Sequence, residues 1–408
     1  MSARGRSKAL TPERFKREGT LVSARRLAAL ILAAALGACG GGGGGGGSEG
    51  VSDEVATPAA VQTTEQFASI GPGNWHGCML RADGDAWCWG SNERGQLGAA
   101  SAQRCMSGNI DCSSVPLAVG GGLTFRALAG GDLSTCGLTA AGAAWCWGMG
   151  LGGQLGDGLN ASGMAPVAVA GGHVFTAIAA SLYAGLACGL KSDGSLWCWG
   201  PGFSFGTKGP AASSVPVRWD AASTITWSRI AIGQGHACGL DREGKAWCVG
   251  SAAYGILGDG SGTASATPVA VGGERVYREI GVGIQHSCAL ALDGQAWCWG
   301  LGAGVGNGGP TGTIVPLPVA VAGSQRFEHL SVSANRSCGL TADGSAWCWG
   351  EFIDNTSTQR TTPAAVPGGH HFAALGSGGL ATCGIDGGGV AWCWGNNVTG
   401  AVGIPAPP

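Results

Sequence analysis

Seventeen cysteines are the residues of this 408-residue chain with the most chemistry in them, and their spacing decides which chemistry. Fourteen fall into seven copies of a Cys-x9-Cys unit: Cys78/Cys88, Cys136/Cys146, Cys188/Cys198, Cys238/Cys248, Cys288/Cys298, Cys338/Cys348 and Cys383/Cys393. Cys105 and Cys112 form an eighth couple, and Cys39 stands alone near the amino end. Thiols serve as metal ligands, as nucleophiles or as halves of disulfides. Structural zinc wants four ligands, usually from Cys-x-x-Cys knuckles; none occurs here, and two opposed thiols in one hairpin supply only half a shell. Reduced cytosolic proteins seldom accumulate cysteines in matched pairs. The even partition therefore reads as a disulfide framework formed in an oxidising compartment.

The element that positions each pair is legible from the middle of the unit. In Cys338-Gly-Leu-Thr-Ala-Asp-Gly-Ser-Ala-Trp-Cys348 the midpoint is Asp343, which leaves a three-residue loop at 342–344. Gly holds the last loop position in all seven copies: Gly84, Gly142, Gly194, Gly244, Gly294, Gly344 and Gly389. A type I turn with a G1 bulge needs φ > 0 there, which glycine adopts at no steric cost. Counting outward sets the two cysteines directly opposite each other, with Cβ atoms about 4.5–5.5 Å apart. Six copies end Trp-Cys-Trp-Gly and the fourth ends Trp247-Cys248-Val249-Gly250. Alternation places Cys on one face and its flanking residues on the other. Opposite the first Trp stands Gly in five copies, Ala289 in one and Met79 in one, which predicts a vacancy for the indole ring. Thirteen of the sixteen tryptophans belong to this slot and are expected to be structural.

The unit returns every 45 to 58 residues, a period that denotes a repeat architecture. Upstream of each hairpin lie further strand signals: Pro-x-x-Val (Pro166 to Val169, Pro268 to Val271) and then Phe/Tyr-x-x-Ile (Phe175 to Ile178, Tyr277 to Ile280). Four strands per unit in seven units close most economically into an all-β propeller, each blade carrying a disulfide-stapled hairpin. A hydrophobic fraction of 45%, with 80 glycines, fits many short buried strands and turns.

The amino end is different in kind. Arg25 and Arg26 precede the apolar run 27–36, too short to span a bilayer but suited to a signal-peptide core. Leu36-Gly37-Ala38-Cys39 resembles a bacterial lipobox, which implies cleavage before Cys39 and lipidation of its thiol. Eight glycines follow, at 40–47. The expected organisation is a lipoprotein signal peptide at 1–38, a Gly-rich tether at 39–56 and the propeller at 57–408. A tether of that length has a mean reach of roughly 20–25 Å. Beyond residue 38 the chain holds 15 basic and 23 acidic residues, a balance of −8, with no basic cluster. An electrostatic footprint for nucleic acid is absent.

Two stretches carry a family resemblance. His286-Ser-Cys-Ala-Leu-Ala-Leu-Asp-Gly-Gln-Ala-Trp-Cys-Trp-Gly300 and Ala-Trp-Cys88-Trp-Gly-Ser-Asn-Glu-Arg-Gly-Gln-Leu-Gly98 resemble the repeat of the regulator of chromosome condensation family, in its cysteine-bearing, exported bacterial lipoprotein form. The resemblance covers roughly residues 57 to 403 and implies a seven-bladed β-propeller. The terminal Gly-Gln-Leu-Gly is intact at 95–98 and 153–156, softened at 255–258 and 400–403, and replaced in repeats three, five and six. The family's uses range from nucleotide exchange on a small GTPase to ultraviolet sensing and β-lactamase inhibition, so membership implies architecture far more than activity.

Chemistry beyond the cysteines is sparse. His76, His236 and His286 recur two residues before a cysteine, the family's structural slot. No nucleophile elbow, metalloprotease helix or phosphate loop is visible, so no catalytic residue, metal or cofactor is assigned. The reading favoured is a monomeric, non-enzymatic module held at the bacterial cell envelope by its lipid alone, on the periplasmic or outer surface, and binding an extracellular or envelope protein or glycan. A propeller hydrolase or lyase with a site in the central channel, and a passive envelope component, are the alternatives. Candidate binding residues sit in irregular connecting segments: Phe203 and Phe205, Phe352 and Ile353, and the Cys105/Cys112 insertion, since binding residues concentrate in loops on a rigid scaffold.

Overall fold

The computed structural model describes residues 57–403 except 62, 106–108, 202–211, 220–222, 352–358, 380, 398 and 400. The leader, Cys39, the tether, Phe203, Phe205, Phe352 and Ile353 thus lie outside the described residues. Among those described, the strands form seven antiparallel sheets, each one blade of a propeller. Blade six shows the pattern: inner strand Phe327–Ser333, then Arg336–Thr341, Ala346–Gly350 and the outer strand Arg360–Ala365. Among the described residues every strand proline but Pro72 lies on an outer strand, Pro166, Pro216, Pro268 and Pro363 among them, because a residue without an N–H is tolerated at a sheet edge. No helix among the described residues is long and apolar enough to cross a membrane.

The hairpin register is the one the spacing predicts. Cys338 pairs with Cys348, Gly339 with Trp347 and Leu340 with Ala346. Gly344 donates its N–H to Thr341 O at 2.9 Å and has φ +84°, which closes the turn. The seven hairpin disulfides are Cys78–Cys88, Cys136–Cys146, Cys188–Cys198, Cys238–Cys248, Cys288–Cys298, Cys338–Cys348 and Cys383–Cys393. Their Cα separations of 4.0–4.1 Å are close to the ~4.5 Å of a non-hydrogen-bonded cross-strand pair. Cys105–Cys112 is the eighth disulfide and joins Gln103–Cys105 to the outer strand Ile110–Ala118, making blade one five-stranded.

The second cysteine of each hairpin lies in mid-sheet. Cys146 stands between Cys136 on one side and Val167 of the outer strand on the other, and Cys298 between Cys288 and Val319. Both are 0% exposed.

The expected vacancy opposite the first Trp is filled by a different ring. A Cβ on Gly339 would fall 2.4 Å from the ring of Phe327, and one on Gly384 2.4 Å from Phe372. Gly137, Gly189 and Gly239 face Phe125, Phe175 and Trp227 in the same way. The space therefore seats the aromatic residue that starts each inner strand. The first Trp lies elsewhere: Trp197, Trp297 and Trp392 are half-buried under His173, Arg275 and His370.

The second Trp is the bolt between blades. Trp89, Trp147, Trp199, Trp299, Trp349 and Trp394 are almost wholly buried. Trp147 Nε1 donates to Gln96 O at 3.0 Å and Trp199 Nε1 to Gln154 O at 3.0 Å, both carbonyls of the preceding blade's Gly-Gln-Leu-Gly segment. The last Gly of that segment lets the indole approach, since a Cβ on Gly156 would sit 2.7 Å from Trp199. Blade five does the same with another sequence: Trp349 Nε1 donates to Gly304 O at 2.9 Å and packs on Gly306. Repeat five therefore replaced the motif's letters and kept its contact. After blade three, where the motif is lost, blade four has the buried Val249 in the tryptophan's place.

The ring is closed by the amino-terminal strand. Ala59–Ala60 forms the outer strand of blade seven, pairing Ala59 with Cys393 and Ala60 with Trp392. Trp89 Nε1 of blade one donates to Ala401 O at 3.0 Å, so both ends of the described chain meet at one seam.

Candidate functional site

The sixteen cysteines of the blades are scaffold rather than site. None is more than 5% exposed, and Cys146 and Cys298, like Cys88, Cys112, Cys198 and Cys348, are at 0%. Bonded in pairs and closed off from solvent, they offer neither a nucleophile nor a ligand to anything outside the fold.

Strand direction alternates within a blade, so two sets of connections leave the same end of the ring. One joins inner to second strand around the axis; the other joins third to outer strand further out. The Cys105–Cys112 insertion belongs to the second set, as do the segments 201–212 and 351–359 that carry the four candidate apolar residues. The described strands that flank these segments therefore end and begin at one face of the propeller.

The axial connections at this face include a group that the sequence did not flag. In six blades the first cysteine comes eleven positions after the inner-strand aromatic, as from Phe327 to Cys338, whereas in blade three it comes thirteen after, from Phe175 to Cys188. The two extra residues bring Leu182 into the lining of an axial pocket of about 260 Å3 and set Tyr183 beside Arg336 of blade six. Burial pushes the Tyr183 phenol above its usual range. Arg336 is 1% exposed and donates Nη2 to Gly378 O at 3.0 Å and Gly379 O at 3.4 Å of blade seven; desolvation pulls it down to about 10. Asp132 of blade two accepts Asn74 Nδ2 at 2.7 Å, and burial raises its carboxyl. The spacing of thirteen rather than eleven was the signal that could have found Tyr183; Arg336 and Asp132 lie in blades of ordinary spacing. The pocket lining itself is small and apolar, with Ala129, Ala179, Ala231 and Val282 typical of it and Ser331 and Ser377 supplying hydroxyls.

His76, His236 and His286 form an inter-blade belt. His76 Nε2 meets Thr135 Oγ1, His236 Nε2 meets Ser287 Oγ and His286 Nε2 meets Ser337 Oγ, each at 2.8 Å. Thr135 Oγ1 donates its proton to Gln96 O at 3.0 Å and Ser287 Oγ to Ile256 O at 3.1 Å, so the imidazole Nε2–H must be the donor to each. The Nδ1 atoms of all three rings are buried without a partner. Protonation would leave a charged ring with an orphan N–H in the interior, and burial pulls His76 and His286 down to about 4 and His236 to about 3. Among the described residues no cluster of three or more metal-ligating side chains occurs.

Three comparisons bear on this architecture. The family model for the regulator of chromosome condensation (RCC1) repeat matches residues 67–96, 277–303 and 327–359, in blades one, five and six. The human probable E3 ubiquitin-protein ligase HERC3 is 36% identical over 113 residues, which is 26% of this chain and a tenth of that protein's length. Human WBSCR16 superposes with a TM-score of 0.69 at 15% identity, covering 83% of this chain and 88% of its own. Yeast RCC1 (Prp20), solved bound to Kap60, superposes with a TM-score of 0.66 at 20% identity, covering 82% of each chain. Repeat, register and ring agree: the chain is a seven-bladed β-propeller, and three of its blades contain stretches that match the regulator of chromosome condensation repeat.

Proposed function

We propose that this propeller is an exported binding module, tethered through a lipidated Cys39 and the Gly-rich segment 39–56, which captures an extracellular or envelope protein or glycan with the face that bears its third-to-outer connections. The observation that carries the reading is the pairing of all sixteen described cysteines as eight disulfides, which suits an oxidising extracellular or periplasmic setting and a rigid scaffold. Irregularity is concentrated at one face, where blade one adds a disulfide-closed hairpin and blade three lengthens its axial loop. Binding rather than turnover is further supported by the axial pocket, whose lining offers two serine hydroxyls among alkyl groups. Yeast RCC1 (Prp20), which shares this fold, is a protein solved with Kap60 bound to it.

The test has two arms. Cys39→Ser should abolish acylation and release the protein from membranes or leave it unprocessed; mature protein beginning upstream of Cys39 would sink the tether. Replacing Phe203 and Phe205, Phe352 and Ile353, or the Cys105 to Cys112 insertion with Gly/Ser segments should weaken capture of the partner by about tenfold or more in at least one variant, with little change in melting temperature. Undiminished capture by all three would move the site to another face.

A further inference from the structure

The seven inner strands can be compared position by position, because each pairs one residue with the same leucine-type residue of its second strand. These residues are Ser69, Ala127, Ala177, Arg229, Glu279, His329 and Ala374, opposite Leu80, Leu138, Leu190, Leu240, Leu290, Leu340 and Ile385. Four are small. The other three, on consecutive blades four, five and six, are Arg, Glu and His. They lie two residues before Ala231, Gly281 and Ser331 of the axial pocket, hence about 6–7 Å further along the axis toward the hairpin end. At this height three consecutive blades thus carry charged or ionisable side chains, and the other four carry small ones.

The charged side chains are organised. Glu279, with its side chain 16% exposed, uses both oxygens: Oε1 lies 3.0 Å from His329 Nδ1, and Oε2 accepts the Leu330 N–H at 2.8 Å. His329, held by Nδ1 and 53% exposed, turns Nε2 away from that carboxylate. Arg278 is committed to Glu328 at 3.0 Å and to Phe327 O at 2.6 Å. Arg229 is exposed and pairs with neither carboxylate. Among the described residues, Arg278 is paired with Glu328 and His329 with Glu279, and Arg229 takes part in neither pair. The Glu279 hydrogen bond raises the proton affinity of His329, against burial and the neighbouring Arg229 and Arg278, which lower it. Blade seven presents only Ala373 and Ala374 at this height.

We propose that this group of side chains binds an oxyanion, the carboxylate or phosphate group of a ligand, between the Arg229 guanidinium and the His329 imidazole, with Glu279 acting as the positioning residue that fixes the ring. Arginine supplies the planar two-pronged donor and the histidine a second charged donor, the combination that makes hydrogen bonds to oxyanions strong. The site is at the opposite end of the ring from the connections assigned to partner capture and stands independently of that assignment.

The test titrates the full-length protein with succinate, inorganic phosphate and an aspartate-rich peptide in a buffer free of competing anions. The His329 ring resonances of histidine-labelled protein provide the readout. Saturable binding of at least one probe is expected, weakened about tenfold or more by Arg229→Ala and by His329→Gln, and weaker at pH 8 than at pH 6 because His329 loses its proton. Response to phosphate alone identifies a phosphate group, response to succinate or peptide a carboxylate. Arg229→Ala should leave the melting temperature unchanged, since its side chain is exposed, so a loss of binding there cannot be a loss of fold. Absence of saturation with all three probes at millimolar concentration, or saturation that survives both substitutions, overturns the proposal and leaves Glu279–His329 as a clasp between blades five and six.

Discussion

Acidification from pH 7 to pH 4 is expected to destabilise the propeller steeply, beginning near pH 6.5 and well before ordinary carboxylates titrate. His76, His236 and His286 are neutral in the folded ring, with values lowered by burial to about 4, about 3 and about 4. In the unfolded chain they titrate near 6.5. Each is thus a group whose folded value is depressed. Its contribution is fully present above the unfolded value and is lost as pH falls toward the folded one, because between the two the unfolded state binds the extra proton. One histidine gives a slope of about 1.4 kcal/mol per pH unit, and three together about 4 kcal/mol per unit at most, in the window from about 6.5 to 4. Denaturant unfolding at a series of pH values measures it. Replacing all three with Gln should flatten the curve in that window while costing stability at pH 7. A wild-type profile flat down to pH 4.5 would contradict the belt.

Truncating the second Trp of a blade should cost several times more than truncating the first. Trp299 is fully buried and donates Nε1 to Ile256 O at 2.8 Å, so Trp299→Ala removes a large core side chain and an inter-blade hydrogen bond, at about 3–5 kcal/mol. Trp297, two residues earlier, is half-buried with the Arg275 guanidinium 3.6 Å from its ring centroid, and its loss should cost about 1 kcal/mol. Trp299→Phe, which keeps most of the volume and loses the donor, should fall between them. Equal shifts of the unfolding midpoint in Trp297→Ala and Trp299→Ala would show that the ring is not held at these bolts.

The hairpins were legible in the sequence because everything that fixes them is local. Gly344 announces its own φ, period-two counting fixes Cys338 against Cys348 as it does Cys136 against Cys146 and Cys288 against Cys298, and seven recurrences supply the blade number. What the sequence concealed depends on contacts between repeats. The role of Gly339 was misassigned because the ring that fills its vacancy, Phe327, lies on a different strand, twelve positions earlier. Repeat five looked degenerate, yet Gly304 and Gly306 satisfy Trp349 because a carbonyl and a missing Cβ are all that the indole requires. Tyr183 and Arg336 are remote in sequence and meet through a two-residue extension that only a comparison of spacings reveals. Arg229, Glu279 and His329 appear scattered until strand register places them at one height.

The two-residue strand Ala59–Ala60 sets the order in which this molecule can assemble. Among the described strands that one is synthesised first and its partner, Ala391–Gly395, last, so the seam joins segments more than three hundred residues apart, as the bond from Trp89 to Ala401 does. Contacts of such separation bear the loop-closure entropy of nearly the whole chain before they return anything, and they make folding slow. Blades one to six can form from local hairpins as they emerge, but until the last blade arrives the partial ring has an unsealed flank on each side, where Trp89 lacks its carbonyl and strand edges stand open to other chains. A chain interrupted within blade seven would therefore be a molecule with six sound blades and no finished fold, and vulnerability to aggregation and proteolysis should persist until the strand Ala391–Gly395 has emerged.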